Sequence, residues 1–226
     1  MVIPAAGVGA RMQRSQPKPF IQLAEKSILE HTLRQFLPLK KLQSIVVAAS
    51  PAIINQAQDV LHQCLGSQFA WQCVEGGETR QQSINKALSH IKETDIVLVH
   101  DAVRPFIALD KIEACCNTAA EMGAAVVGFP AIDTIKKIDT DGMVVETPKR
   151  QKMWQIQTPQ VFRTELLKKA YRQAESRGYQ ATDDASLVEW LGEPVKVVRG
   201  NRSNIKITYP QDLERARLLV ENGILS

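Results

Sequence analysis

The chain has 226 residues, of which 44% are hydrophobic and 23% charged, a composition typical of a globular protein with a buried core. This length predicts one domain spanning residues 1–226, because each half of a two-domain chain would bury only a small core. The net charge of +4, from 28 basic and 24 acidic residues, is modest and not clustered, so we expect no nucleic-acid partner.

Short apolar segments alternate with amphipathic helical segments, a pattern that predicts an α/β fold with a mostly parallel, twisted sheet. Serine and glutamate at positions 27 and 30 form a capping box at one helix start, and Pro51 marks the first residue of another helix. The predicted elements in chain order are strand 1–5, helix 27–37, strand 44–49, helix from 51, strand 70–74, helix 80–91, strand 95–100, helix 110–122, strand 124–129, strand 154–157, helix 165–177, helix 184–191, strand 195–198, strand 205–208 and helix 210–223.

The helix–strand alternation is interrupted between residues 131 and 152. Apolar and polar residues alternate over 134–139, Thr-Asp-Gly at 140–142 predicts a turn, and residues 143–147 return. This pattern predicts a protruding β-hairpin. Because an isolated two-stranded hairpin is marginally stable in water, we expect this arm to pack on another surface, such as a second subunit.

Membrane and secretion signals are missing from the sequence. No apolar run approaches the roughly 18 residues needed to cross a bilayer, and residues 1–6 are too short for a signal peptide and lack its basic flank. We therefore expect a cytoplasmic protein with no membrane partner. Four cysteines without metal-site spacing are predicted to be reduced, mostly apolar core residues, namely Cys64, Cys73, Cys115 and Cys116.

A loop of small residues follows the first predicted strand and contains Gly7 and Gly9. Such a loop lets backbone N–H groups approach a phosphate closely, although it also fits a plain turn from strand to helix. Met12 stands where a dinucleotide-binding loop needs a small residue for helix packing. Arg11 and Lys18, the latter between two prolines that stiffen the chain, are candidate phosphate ligands. The alternative for Lys18 is a solvated surface side chain.

Two further segments carry candidate site residues. Residues 76–83, Gly-Gly-Glu-Thr-Arg-Gln-Gln-Ser, combine glycines that allow close approach of a base with a hydroxyl at Ser83. Residues 100–105 follow a buried strand at the edge where open α/β sheets bind ligands. Asp101 is a candidate for contact with a metal or ribose, or alternatively forms a loop ion pair with Arg104.

Together these segments resemble the nucleotidyltransferases that activate sugars, and the chain as a whole resembles the 2-C-methyl-D-erythritol 4-phosphate cytidylyltransferase family. The resemblance runs from Val2 to the last helix. Beyond the segments above, it includes Asp133-Thr134, Arg150, Trp154, residues 157–160 (Gln-Thr-Pro-Gln), residues 182–186 (Thr-Asp-Asp-Ala-Ser) and residues 204–208 (Asn-Ile-Lys-Ile-Thr). It implies a single Rossmann-like nucleotidyltransferase domain with the hairpin arm near 131–152 as a dimerisation element.

The resemblance also implies the site and its ligands, which are CTP, 2-C-methyl-D-erythritol 4-phosphate and Mg²⁺, with Asp101 near the metal. The implied catalytic cations are Arg11, Lys18 and Lys206. The implied nucleotide-binding residues are Ala5, Ala6, Gly7, Gly9, Gly77, Glu78, Ser83, Asp101 and Ala102. The implied acceptor-binding residues are Arg104, Asp133, Thr134, Arg150, Thr158 and Thr182, with Thr134 and Arg150 reaching the partner's site in a homodimer.

Glu78 departs from the family pattern, in which we expect aspartate. Family members also carry several more residues before the glycine loop, so we expect a short first strand here or a true start upstream. Two alternative functions stay open: ribitol-5-phosphate cytidylyltransferase, which shares the nucleotide half of the site, and a non-catalytic nucleotide-binding module, which would be expected to lack Arg11, Lys18 or Lys206.

Overall fold

The structure is a computed structural model that describes residues 1–7, 16–92 and 94–225. Within these ranges the strands are β1 (Val2–Pro4), β2 (Gln22–Leu23), β3 (Lys26–Ser27), β4 (Ser44–Ala49), β5 (Ala70–Glu75), β6 (Ile96–Val99), β7 (Ala124–Pro130), β8 (Lys137–Ile138), β9 (Val144–Glu146), β10 (Trp154–Arg163) and β11 (Lys196–Arg199). The α-helices are α1 (Ile28–Arg34), α2 (Ile54–Leu65), α3 (Arg80–Ser89), α4 (Leu109–Met122), α5 (Thr164–Ser176), α6 (Asp184–Trp190) and α7 (Pro210–Glu221). Lys18–Phe20 and Arg150–Lys152 form 3₁₀ helices.

The main sheet has the strand order β11-β7-β10-β6-β1-β4-β5 over the described residues. Strands β6, β1, β4 and β5 run parallel, as do β11 and β7, whereas β10 is antiparallel to both β6 and β7. The predicted α/β class with a mostly parallel sheet is confirmed. The carboxyl ends of β1, β5 and β6 meet at one edge, because they point the same way.

Helices cover both faces of the sheet, since neighbouring side chains of a strand point to opposite faces. Ile3 and Val47 pack with α1, α2 and α4, whereas Val2 and Val46 pack with α3, α5 and α6. Helix α7 covers a third apolar cluster that includes the fully buried Ile207. No helix in the described part of the chain is long and apolar enough to cross a membrane.

Two predicted elements are wrong in detail. The helix expected from Pro51 begins at Ile54, because the backbone N–H of Ile53 donates to the carbonyl of Ser50 at 3.0 Å and closes a turn first. The strand expected at 205–208 is irregular backbone. Its alternating pattern reflects packing beneath α7, and the backbone N–H of Ile207 donates to the carbonyl of Val103 at 3.0 Å.

The predicted hairpin is present as the antiparallel pair β8 and β9. Both strands are shorter than expected, and their side chains are exposed. The apolar side chains of the arm that are exposed include Ile132, Ile138, Met143, Val144 and Val145. Strand β10, which follows the arm, is longer than the predicted 154–157 and runs from the base of the arm into the buried sheet.

The four cysteines are free thiols. Cys115 is buried as predicted, and the other three are half-buried at the edge of the core.

Candidate active site

A cavity of about 410 Å³ lies beyond the carboxyl ends of β1, β5 and β6, at the edge where the sequence predicts a ligand. Ten of the predicted site residues line it, namely Ala5, Ala6, Gly7, Lys18, Gly77, Glu78, Ser83, Asp101, Ala102 and Lys206. Gly9 and Arg11 lie outside the described residues. Segments that are far apart in the sequence therefore form one concave surface.

The wall between β5 and α3 depends on its glycines. A Cβ at Gly76 would lie 2.5 Å from the Cβ of Ala6, and one at Gly77 would lie 2.3 Å from the Cβ of Gln82. The hydroxyl of Ser83 accepts from the N–H of Gly77 at 3.0 Å. It is also within hydrogen-bonding distance of the Gly77 and Thr79 carbonyls. Ser83 thus holds the loop backbone in the shape that lines the cavity.

Two cations approach this cavity from opposite parts of the sequence. Lys18 begins a 3₁₀ helix that is anchored by the buried side chains of Pro19 and Phe20, with Pro17 extended before it. Lys206 comes from the segment that packs beneath α7. Prolines on both sides restrict the backbone of Lys18 as expected, and both lysines line the same cavity.

Asp101 lies at the centre of a charged cluster. Its Oδ2 is 3.0 Å from Nζ of Lys206 and 3.1 Å from Nε of Arg104, and its Oδ1 is 3.5 Å from Nε of Arg80. Burial by itself would raise the pKa of Asp101, but the charges of Lys206, Arg80 and Arg104 outweigh it and hold that pKa well below its ordinary value. Asp101 forms the predicted loop ion pair with Arg104, and it also lines the cavity.

Thr158 and His100 lie directly behind Asp101. The Thr158 hydroxyl accepts from the N–H of Asp101 at 3.1 Å and is 3.0 Å from Nδ1 of His100, while Nε2 of His100 is 3.0 Å from the Arg104 carbonyl. A carbonyl only accepts, so Nε2 carries the proton and Nδ1 accepts from Thr158. Burial lowers the pKa of His100 to about 4, and the ring is neutral. The sequence predicts that Thr158 binds the acceptor, but in this structure its hydroxyl already forms hydrogen bonds with Asp101 and His100.

Strand β10 connects this network to two more loops. Gln160 donates from Nε2 to Asp183 at 2.8 Å and accepts from the N–H of Ala185 at 3.0 Å, which fixes the start of α6. Asn204 donates from Nδ2 to Gln157 at 3.1 Å and to the Thr158 carbonyl at 2.9 Å. Residues 157–160 thus hold the loops that carry Asp101, Thr182 and Lys206.

The remaining acceptor-binding predictions fall outside the cavity wall. Arg104 lies beside it, donating to Asp101 and to the Asn204 carbonyl. Thr182 is exposed, with its hydroxyl 3.3 Å from that of Ser186. Three further residues, Asp133, Thr134 and Arg150, are exposed at the base of the arm, where Arg150 donates to the Ile132 carbonyl at 3.0 Å. Within one chain these residues are not brought to the nucleotide cavity, and their roles stay predictions.

Sequence reasoning gave no role to Arg80 or Asp184, although both occur in segments that carry the resemblance. Arg80 lines the cavity, and its Nη2 donates to Asp184 at 2.8 Å. Asp184 is fully buried and also accepts from the hydroxyl of Tyr171. The two residues lie 104 positions apart, so no local pattern could pair them. Across the described residues, no group of three or more His, Cys, Asp or Glu side chains could hold a metal ion.

Two relatives with similar sequences share one name. The chain is 42% identical over 226 residues to 2-C-methyl-D-erythritol 4-phosphate cytidylyltransferase of Acidobacterium capsulatum, with 96% of this chain and 94% of the relative covered. It is 42% identical to the protein of that name from Bacillus pumilus, with 98% and 96% covered.

Solved structures agree with these relatives. The 4-diphosphocytidyl-2C-methyl-D-erythritol synthase of Anaerococcus prevotii superposes with a TM-score of 0.86 at 31% identity, covering 97% of this chain and 94% of that one. The cytidylyltransferase of Thermus thermophilus superposes with a TM-score of 0.78 at 33% identity, covering 97% of each chain. The IspD family model, described as 2-C-methyl-D-erythritol 4-phosphate cytidylyltransferase, matches residues 1–222. The chain therefore belongs to the 2-C-methyl-D-erythritol 4-phosphate cytidylyltransferase family.

Proposed function

We propose that this chain transfers the cytidylyl group of CTP to 2-C-methyl-D-erythritol 4-phosphate, giving 4-diphosphocytidyl-2-C-methyl-D-erythritol and pyrophosphate in isoprenoid precursor synthesis. The observation that carries the proposal is the cavity that Lys18 and Lys206 share with the glycine wall around Gly77. A small neutral wall suits a flat base, and two cations suit a triphosphate. Family membership over nearly the whole chain identifies the substrates.

The reaction joins two anions, so the protein must first offset their repulsion. An oxygen of the acceptor phosphate attacks the α-phosphorus of CTP, and the bond from that phosphorus to the bridging oxygen breaks as pyrophosphate leaves with the electron pair. Lys18 and Lys206 would stabilise the charge that builds on the α-phosphate and the leaving group. Arg11, a catalytic cation implied by the family resemblance, would join them. A phosphate monoester is already ionised, so the step needs no general base.

Positioning supplies the rest of the catalysis. The wall formed by Ala6, Gly77 and Ser83 would hold the cytosine, and Ala102 and the Asp101 backbone would lie along the ribose. Glu78 is exposed at the cavity rim, where its carboxylate could accept a hydrogen bond from the cytosine amino group in place of the family's aspartate.

The donor set around Asp101 fits a magnesium ion that is held mainly by substrate. Mg²⁺ in nucleotide sites keeps several waters and takes one or two carboxylates together with phosphate oxygens. Asp101 presents an ionised carboxylate to the cavity, but its oxygens also face Lys206, Arg80 and Arg104. We therefore place Asp101 beside the ion, directly or through water. When bound, the ion would neutralise charge on the triphosphate.

A homodimer would complete the acceptor half of the site. The exposed apolar side chains of the arm, with Val144 and Val145 58% and 61% exposed, suit burial against a second copy of the chain. Arg150 and Thr134 at the arm's base would then reach the partner's cavity, while Thr182 would serve its own. The free cysteines fit the reducing cytoplasm, which we propose as the location.

Pyrophosphate release tests this function. The purified chain is assayed with CTP, UTP, ATP or GTP against 2-C-methyl-D-erythritol 4-phosphate or ribitol 5-phosphate, with Mg²⁺ and with a chelator. We expect release only with CTP, methylerythritol phosphate and the metal. Faster turnover of ribitol 5-phosphate would overturn the acceptor assignment. CTP binding without release in any combination would indicate the non-catalytic module.

A further inference from the structure

A buried ion pair lies behind the wall of the nucleotide cavity. Asp184, the first residue of α6, has no exposed surface. Its Oδ2 accepts from Nη2 of Arg80 at 2.8 Å, and its Oδ1 accepts from the Tyr171 hydroxyl. Burying a carboxylate is costly unless it is paired and hydrogen-bonded, and both of its oxygens have such a partner here.

Charge and protonation are well defined in this cluster. Burial raises the pKa of Tyr171, and the adjacent Asp184 raises it further, so the phenol keeps its proton and donates. Burial alone would lower the pKa of Arg80, but Asp184 and Asp101 outweigh it and raise that pKa. A cationic guanidinium therefore joins two carboxylates, one fully buried and the other in the cavity.

The contact with Asp184 holds the Arg80 guanidinium in place beside Asp101. A guanidinium is planar, and its N–H donors point in fixed directions. With Nη2 held on Asp184, Nε of Arg80 lies 3.5 Å from Oδ1 of Asp101. Lys206 and Arg104 share Oδ2 of the same carboxylate, at 3.0 Å and 3.1 Å. The position of Arg80 beside Oδ1 therefore contributes to how much of the negative charge of Asp101 is left to hold Lys206.

We propose that Asp184 and Tyr171 are positioning residues for cytidylyl transfer, which hold Arg80 against Asp101 so that Lys206 can turn toward the triphosphate. The inference rests on the proposed function, because it assigns the task of the cluster in that reaction. Of the three cations paired with Asp101, Lys206 is best able to move, since its side chain is 42% exposed whereas those of Arg80 and Arg104 are 30% and 12% exposed. Neither Asp184 nor Tyr171 lines the nucleotide cavity.

Asp184→Asn and Tyr171→Phe test the proposal by steady-state pyrophosphate release. We expect kcat to fall on the order of 10-fold to 100-fold in Asp184→Asn, the range for a displaced reacting geometry, and by less in Tyr171→Phe. The KM for methylerythritol phosphate should stay unchanged. If Asp184→Asn acted only through its lost negative charge, CTP would be attracted more strongly, so the KM for CTP would fall and kcat would not. Tyr171→Phe tests positioning without this effect, because it changes no charge. Asp59→Asn, an exposed position on α2, is the matched control and should keep wild-type rates.

A double variant separates positioning from stability. Arg80→Ala leaves the Asp184 carboxylate buried without its cation, so it should lower the melting temperature, and adding Asp184→Asn should restore part of that loss. Turnover of the double variant should stay within about twofold of Arg80→Ala, since Asp184 then has nothing to position. Activity that returns together with stability would overturn the proposal, as would wild-type kcat in both Asp184→Asn and Tyr171→Phe.

A variant that does not fold and a failure of the proposed cytidylyl transfer can each be distinguished from a failure of the positioning role. If Asp184→Asn does not fold, Tyr171→Phe decides, because it removes only a hydroxyl, and unchanged kcat in that variant then refutes the proposal. A wild-type chain that releases no pyrophosphate refutes the proposed function instead. Calorimetric titration with CTP would then test the cluster alone, and equal affinity in wild type and in Tyr171→Phe would refute the positioning role.

Discussion

Replacing Thr158 by valine removes one hydroxyl from beneath the active-site carboxylate and keeps the branched shape of the side chain. Two buried groups lose their partner, the backbone N–H of Asp101 and Nδ1 of His100. An unsatisfied buried donor or acceptor costs roughly 1–3 kcal/mol, so we expect the free energy of unfolding to fall by about 3 kcal/mol. In a chain of this size each kcal/mol shifts Tm by about 2–4 °C, which predicts a fall of about 6–12 °C.

Urea unfolding and pyrophosphate release measure the two consequences. Thr158→Ser keeps the hydroxyl and is the matched control, expected to retain most of the stability and turnover. Thr158→Val should also lower kcat, because the Asp101 backbone loses an anchor. Wild-type stability combined with a raised KM for the acceptor alone would refute this reasoning. It would indicate instead that Thr158 contacts the acceptor directly, as the family resemblance implies.

Three further predictions concern the cations and the buried histidine. Lys18→Ala should lower kcat by about 10²–10³, the usual effect of removing one preorganised donor, with little change in Tm; unchanged turnover would reject its role. Arg150→Ala should raise the KM for methylerythritol phosphate in steady-state assays, and weaker CTP binding would contradict the division of the site. The pKa of His100 is lowered to about 4, against about 6.5 in an unfolded chain, so the unfolded state binds more protons between these values. The His100 contribution to stability is therefore complete above about pH 6.5 and falls by up to about 3 kcal/mol toward pH 4; urea midpoints that do not decrease between about pH 7 and pH 5 would contradict it.

Local chemistry made much of the fold predictable. Buried parallel strands appear as short apolar runs, and Ser27 accepts from the N–H of Glu30 as the serine half of the predicted capping box requires. The glutamate half is wrong, because the Glu30 carboxylate accepts from Nε of Arg34 one turn later instead. The errors came where packing decides. Residues 205–208 alternate like a strand but pack beneath α7, and Ser50 begins a turn before the helix does. An alternation of apolar and polar residues shows which side of a segment is buried, but it does not show which element packs against that side.

The candidate site divides in the same way. Glycines at 76 and 77, the prolines around Lys18 and the family's ordered segments are visible in the sequence, because backbone freedom and local stiffness depend on neighbouring residues. Only the tertiary structure decided that Asp101 also pairs with Arg80 and Lys206. The same holds for the burial of Asp184 against Arg80, 104 positions away. Electrostatic pairing depends on distance and burial, and both are established only when the sheet brings its loops together.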